Sequence, residues 1–155
     1  MASSAKDGIK VIATNRKARH RYHVLETWEA GLALKGSEVK SLRAGKVSLG
    51  EGFARVERGE VWLHNVHIAP YDPASHTGHD PLRPRKCLLH KSEIRRLAGS
   101  AERSGHTIVP LELYFKSGKA KVKLGLARGK AAHDRREDLK RREAEREIER
   151  AFKKR

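Results

Sequence analysis

From residue 109 to residue 126 the chain alternates with a period of two on either side of a Ser117–Gly118 step. Val109, Leu111, Leu113 and Phe115 precede the step; Ala120, Val122, Leu124 and Leu126 follow it. Successive side chains of a strand point to opposite faces, so this pattern predicts a β-hairpin with one apolar face. Lys119, Lys121 and Lys123 fall in the opposite phase and share the other face. A second hairpin is predicted from Phe53–Glu57 and residues 61–66 around Arg58, Gly59 and Glu60. There is no βαβ rhythm and no internal repeat. Several short strands with few helices point to a mainly β fold, a small barrel or sandwich.

The remaining elements are read from breakers and caps. Tyr22 and Val24 begin a strand that ends at Trp28, and Gly31 reads as a turn into a short strand at 32–34. Residues 37–44 read as a helix with Ser37 as N-cap, Glu38 at the positive end and Gly45 past the last turn. Four of the five prolines (Pro70, Pro73, Pro81 and Pro84) make 70–84 a loop. Residues 85–104 read as helical, with Leu88, Leu89, Ile94 and Leu97 on the apolar side. The expected organisation is a flexible segment at 1–14, a folded body at 15–127 and a basic tail at 128–155.

The 35 Lys and Arg outnumber the 19 Asp and Glu, for a net charge of +16. Residues 128–155 hold 12 basic and 7 acidic residues, which leaves 23 and 12 in the first 127. The body is therefore strongly basic itself, and a polyanion, above all nucleic acid, is the partner such a balance suits. A membrane surface is the rival, but no stretch approaches the ~20 apolar residues of a spanning helix. The first residues lack the apolar core of a signal peptide. The lone Cys87 excludes an internal disulfide and fits a reducing cytosol. The tail has i,i+4 pairs with the acid first, such as Glu137–Arg141 and Glu149–Lys153. Each contributes roughly 0.2–0.5 kcal/mol. Without a wide apolar stripe the tail cannot dock firmly on the body, so it is expected to be disordered when free and to fold on a polyanionic groove.

Lys17, Arg19 and His20, with Arg16 and Arg21, form a run that either clamps phosphates or is a solvated charged leader. The Lys119, Lys121 and Lys123 stripe either meets RNA or protects a sheet edge. Most acids of the body stand beside basic residues, but Glu29 follows Trp28 at a strand end; it either accepts from a base amino or imino group or serves as a cap or turn residue. His64 with His67, and His76 with His79, are spaced three apart, but four converging metal ligands are not in evidence, and no metal or cofactor is expected. Hydrolase, phosphate-loop and zinc-protease motifs are absent, Cys87 sits in an apolar run (KCLL), and the chain reads as non-enzymatic.

Six segments in order, NRKARHRY at 15–22, WEAGLAL at 28–34, GSEVKSLRAGK at 36–46, RPRKCLLH at 83–90, KVKLGLARGK at 121–130 and HDRREDLKRRE at 133–143, resemble the small protein B family of transfer-messenger RNA-binding proteins. The resemblance covers about residues 9–143 and implies a small closed OB-like β-barrel with about three short helices. It implies an adaptor that binds the tRNA-like domain of transfer-messenger RNA and stands for the missing anticodon arm on stalled ribosomes. Its tail would enter the empty messenger channel. By position, Asn15, Glu29 and Leu88 match RNA-contacting residues of the family, with Lys17, Arg19 and His20 in the same matched run. Arg128, Lys130, His133, Asp134, Arg135 and Arg136 match the element that engages the decoding centre. Elongation factor Tu and alanyl-tRNA synthetase are implied as partners through the RNA, for a cytoplasmic monomer. The alternative is a structural basic protein of the ribosome.

Overall fold

A computed structural model describes residues 8–71, 79–103, 105–130 and 132–153. Among them the order is β1 (Ile9–Thr14), α1 (Arg16–Arg21), β2 (Tyr22–Leu32), α2 (Gly36–Arg43), β3 (Val47–Ser48), β4 (Phe53–Glu57), β5 (Glu60–His64), β6 (His67–Ile68), β7 (Arg85–Leu88), α3 (Lys91–Ala101), β8 (His106–Lys116), β9 (Lys119–Gly129) and α4 (Ala132–Lys153). The described residues are mainly β, with four helices. No described helix is long and apolar enough to cross a membrane.

All the pairings are antiparallel. β8 pairs with β9 over ten positions and β9 with β2 over nine. β2 meets β7 at Gly31 and Leu32, and β7 meets β5 at three positions. β5 pairs with β4 over five, and β4 returns to β8 through Ala54 and Ile108 alone. The neighbours thus run in a cycle, β8-β4-β5-β7-β2-β9, with β1 added to the far half of β8. Both hairpins turn on two residues with positive φ, Arg58–Gly59 (52° and 76°) and Ser117–Gly118 (49° and 78°). That geometry matches the twist of the flanking strands. Glu60 therefore belongs to β5 and not to the turn.

Inside the cycle lie Trp28, Ala30, Val61, Leu63, Cys87, Leu97, Leu113, Val122 and Leu124. β9 keeps its alternation throughout: Val122, Leu124 and Leu126 go inward, and Lys121, Lys123, Gly125 and Ala127 go outward. β8 does not. A bulge between Pro110 and Glu112 inserts Leu111 and changes the phase. Leu113 and Phe115 face the core, whereas Val109 and Leu111 join Ala18 and Ala127 in a second cluster outside it. The single apolar face expected of this strand is thus divided in two.

The second cluster exists to seat α1. The basic run is a one-and-a-half-turn helix that buries only Ala18. Gly125 lies beneath it: a Cβ there would come within 2.8 Å of Leu111 Cδ1 and 3.3 Å of Val24 Cγ1. Gly125→Val should therefore overpack this seam and loosen α1, at about 1–3 kcal/mol. Hydrogen exchange checks this: faster exchange at the C-cap amide of Tyr22, which donates to Ala18 O, with the core strands little changed.

Other expectations are corrected. Residues 9–14 form an edge strand paired with β8, because Ile12 and Ala13 pack on the core. Gly31 lies within β2 and not at a turn, so that strand runs unbroken to Leu32. Residues 85–88 are a strand and not a helix: Arg85 and Cys87 point inward, Lys86 and Leu88 outward. Burial pushes the Cys87 thiol up to about 12. α2 begins at Gly36, and the Lys35 N–H donates to Glu38 Oε1 at 2.8 Å. Glu38 is no surface cap. It is fully buried and accepts from Arg83 and, at 2.6 Å, from the equally buried Arg85. Arg85 also donates to the Val66 and Pro81 carbonyls. Burial alone would raise the Glu38 pKa, but hydrogen bonds from Arg83, the Lys35 backbone and Arg85 hold it below the ordinary carboxylate range.

Candidate nucleic-acid interface

The registers lay out the outer face of the sheet row by row. One row runs Leu88–Gly31–Lys121–Tyr114–Val11 across β7, β2, β9, β8 and β1. The next runs Glu29–Lys123–Glu112–Thr14. Cross-strand partners share a face, so Glu29, Lys121, Lys123 and Leu88 stand side by side although they come from three strands. Lys119 marks the exposed tip of the same stripe. Gly31 leaves a gap between Leu88 and Lys121, and a Cβ there would meet Leu88 Cβ at 3.3 Å. An open groove of about 530 Å³ results, lined by Glu29, Gly31, Leu88, Leu89, His90, Glu93 and Lys121. Leu88 is 51% exposed at its wall.

Glu29 is held from the side. Tyr114 Oη donates to its Oε2 at 2.5 Å, and Lys116 Nζ stands 3.3 Å from its Oε1. The Tyr114 hydrogen bond is the chief reason its carboxyl lies below the ordinary carboxylate range; slight burial opposes this, and Lys116 and Lys121 reinforce it. Burial and the same bond push the Tyr114 phenol upward. Tyr114 was not singled out from sequence. The signal was present: it is an aromatic residue in the polar phase of the alternating run.

Asn15 lies elsewhere. It is 3% exposed, its Oδ1 accepts from the Ala18 N–H at 3.1 Å, and its Nδ2 donates to the Pro110 and Leu49 carbonyls at 2.8 and 3.2 Å. It therefore bolts α1 to the body, with both ends of its amide engaged by backbone groups. Lys17 and Arg19 are exposed and His20 half-buried on that helix, with Lys17 3.3 Å from Glu51. α1 covers the same outer face near Ala127, six residues along β9 from Lys121, or about 20 Å.

The tail leaves beside α1. Arg128 is exposed and the Lys130 N–H donates to the Arg21 carbonyl at 2.8 Å. His133, Asp134, Arg135 and Arg136 fall in the first turns of α4, with side chains outside the described residues. Leu139, Ile148 and Phe152 are 45–70% exposed. Two of the four histidines considered for metal have other partners: His64 meets Glu57 at 3.1 Å, and His79 bridges Ser37 and the Ile68 carbonyl. His67 is exposed, and His76 lies outside the described residues.

Amines, a carboxylate held ionised and an exposed leucine on one face of an antiparallel sheet, in a chain of this charge, define a nucleic-acid-binding β protein. The family model described as "SmpB protein" matches residues 12–154. An SsrA-binding protein of Geobacillus thermodenitrificans is 59% identical over 94% of each chain. One of Thermosynechococcus vestitus is 59% identical over 96% of this chain and 99% of its own. A chain in a solved structure described as "tmRNA-SmpB: a journey to the center of the bacterial ribosome" is 60% identical, with a TM-score of 0.67 over 77% of this chain and 85% of that one. The chain belongs to the SmpB family.

Proposed function

We propose that this protein is the transfer-messenger RNA-binding adaptor of trans-translation, without chemistry of its own. It binds the tRNA-like domain, carries it to stalled ribosomes, fills the place of the missing anticodon arm and sends its tail into the empty messenger channel. One observation carries the reading: Glu29 is kept ionised beside exposed Leu88 on a lysine-bearing sheet face. The carboxylate accepts from a base edge, the leucine packs on a base face and the lysines meet phosphate. The cycle of pairings supports a small closed barrel of OB-like type, a fold suited to such ligands. Asn15 then acts by holding α1, whose Lys17, Arg19 and His20 reach the backbone.

We read α4 as a helix that the free chain holds only loosely, largely unstructured in solution, and that becomes fixed on the ribosome, where Arg128, Lys130, His133, Asp134, Arg135 and Arg136 meet the decoding centre. Its exposed apolar residues support this, since nothing on the body is seen to hold them. Elongation factor Tu and alanyl-tRNA synthetase are reached through the RNA. A cytoplasmic monomer fits the lone buried thiol.

Glu29→Ala should weaken binding to the tRNA-like domain by about ten-fold or more, the worth of a charged hydrogen bond, and leave binding to an unrelated RNA nearly unchanged. Filter binding at several salt concentrations checks both arms, and equal loss on the two RNAs would reduce Glu29 to a scaffold residue. The wild-type log–log salt slope should lie near −5 for ~6 neutralised phosphates, taking the duplex coefficient as a ceiling. The depressed Glu29 pKa fixes the sign of the pH effect. A carboxylate whose folded pKa is lowered contributes above its unfolded value and loses that contribution as pH falls through the folded one. Specific binding should therefore hold down to the ordinary carboxylate range and fail only below it.

A permanent structural protein of the ribosome would share this surface. Copurification separates the two: the adaptor follows transfer-messenger RNA on few ribosomes, whereas the structural protein is stoichiometric with all.

A further inference from the structure

Trp62 lies on the outer face of the fold, half-buried, beside the groove at Glu29 but outside its lining. In β5, Val61 and Leu63 fill the core, which turns Trp62 and His64 outward. The registers set Phe53 opposite His64, and Arg55, Trp62 and Lys86 in one row across β4, β5 and β7. The Phe53 and His64 rings stack at 5.2 Å and 16°, and the Arg55 guanidinium lies 5.3 Å from the Phe53 centroid. Glu57 faces Arg55 and His64, and Glu60 faces Lys86 at 2.8 Å, so charges on this patch nearly balance. A patch built mainly for phosphate would carry excess cation.

An indole set by register between Arg55 and Lys86, with Glu57 and Glu60 paired to those cations, suits an unpaired base. The base face stacks on the ring, its exocyclic amine meets a carboxylate, and its phosphate meets Arg55 or Lys86. Cross-strand pairing alone accounts for the Phe53–His64 stack, since such pairs stabilise a hairpin. It does not account for a tryptophan set outward between Arg55 and Lys86. The patch is also continuous with the groove: Lys86 and Leu88 share the outer face of β7, about 7 Å apart.

We propose that the outer face of β4, β5 and β7, centred on Trp62, stacks an unpaired base of the same transfer-messenger RNA that Glu29 and Leu88 engage. This rests on the function proposed above and extends the footprint beyond it.

The test is equilibrium binding of the purified tRNA-like domain by full-length wild type, Trp62→Ala and Trp62→Phe. Trp62→Ala should weaken binding roughly ten-fold, the usual scale for one stacked base, and Trp62→Phe should recover most of it. The salt slope should shallow by at most about one in Trp62→Ala, since no cation is removed and only the phosphate of the stacked nucleotide can be lost. Wild-type affinity in Trp62→Ala, or a loss that Phe does not relieve, overturns the proposal. Should Trp62→Ala melt early, ultraviolet crosslinking of iodouridine-substituted RNA to the wild type decides. Crosslinks in β5 support the platform, and their absence from β4, β5 and β7 removes it. A defect seen only on whole ribosomes also overturns it, since the occupant is then another molecule. If Glu29→Ala loses affinity while Trp62→Ala does not, the extension alone fails; if wild type does not bind the RNA, the functional reading falls with it.

Discussion

Protein cut after Arg128 is expected to bind transfer-messenger RNA within a few-fold of the full chain and to tag no peptide on stalled ribosomes. The body loses little in structural terms. Every residue of both apolar clusters precedes the cut. What goes is the Gly129 pairing with Tyr22 and the Lys130 bond to Arg21. The apolar residues removed with α4, Leu139, Ile148 and Phe152, are open to solvent. The groove around Glu29 and Leu88 and the cations of α1 all remain. The removed residues 129–155 carry a net charge of +4, so the salt slope should shallow slightly while specificity persists. Binding assays with peptide-tagging measurements on truncated messages check both halves. Tagging by the truncated protein would refute this division of labour.

Glu38→Ala is expected to cost the body about 3–5 kcal/mol, because it strands a fully buried Arg85 charge without its carboxylate. For a chain of this size that lowers the melting temperature by on the order of 10 °C. Arg83, only partly buried, can turn to water; Arg85 cannot. Pairing Glu38→Leu with Arg85→Met should recover much of the loss, since apolar replacement of a whole buried pair is often close to neutral. The recovery stays incomplete, because the Val66 and Pro81 carbonyls lose their donor. Thermal and urea unfolding of the single and double variants measure this. A cost below about 1 kcal/mol for Glu38→Ala would mean that water reaches Arg85. Acid works in the same direction: the lowered Glu38 pKa means its contribution is present at neutral pH and lost as pH falls through the folded value.

What could be read beforehand divides along physical lines. β9 was legible because its two faces differ in kind, lysine against aliphatic, over the whole strand. β8 was legible only as far as Glu112, because a bulge depends on the partner strand and leaves no mark in composition. α1 was read as charge and not as helix, since Ala18 is its one buried residue and carries no periodicity. Residues 85–88 were ambiguous because a short apolar run suits either element. The inward turn of Arg85, which decides it, needs Glu38 forty-seven positions earlier. The site was half legible. Glu29 stood out by its place after Trp28 and again by resemblance, Leu88 by resemblance alone, but their meeting rests on register, through Gly31 and Lys121. Asn15 was named as well, and the structure gives it work inside.

The seams between strands are uneven, with nine and ten residue pairs on either side of β9 against a single pair joining β4 to β8. The wall that bears Glu29 is therefore stiff and meets its ligand preorganised, with little ordering entropy left to lose. The β4–β5 hairpin, tied to β8 by that one pair and to β7 by three, has the fewest backbone bonds to yield and is where the sheet gives first.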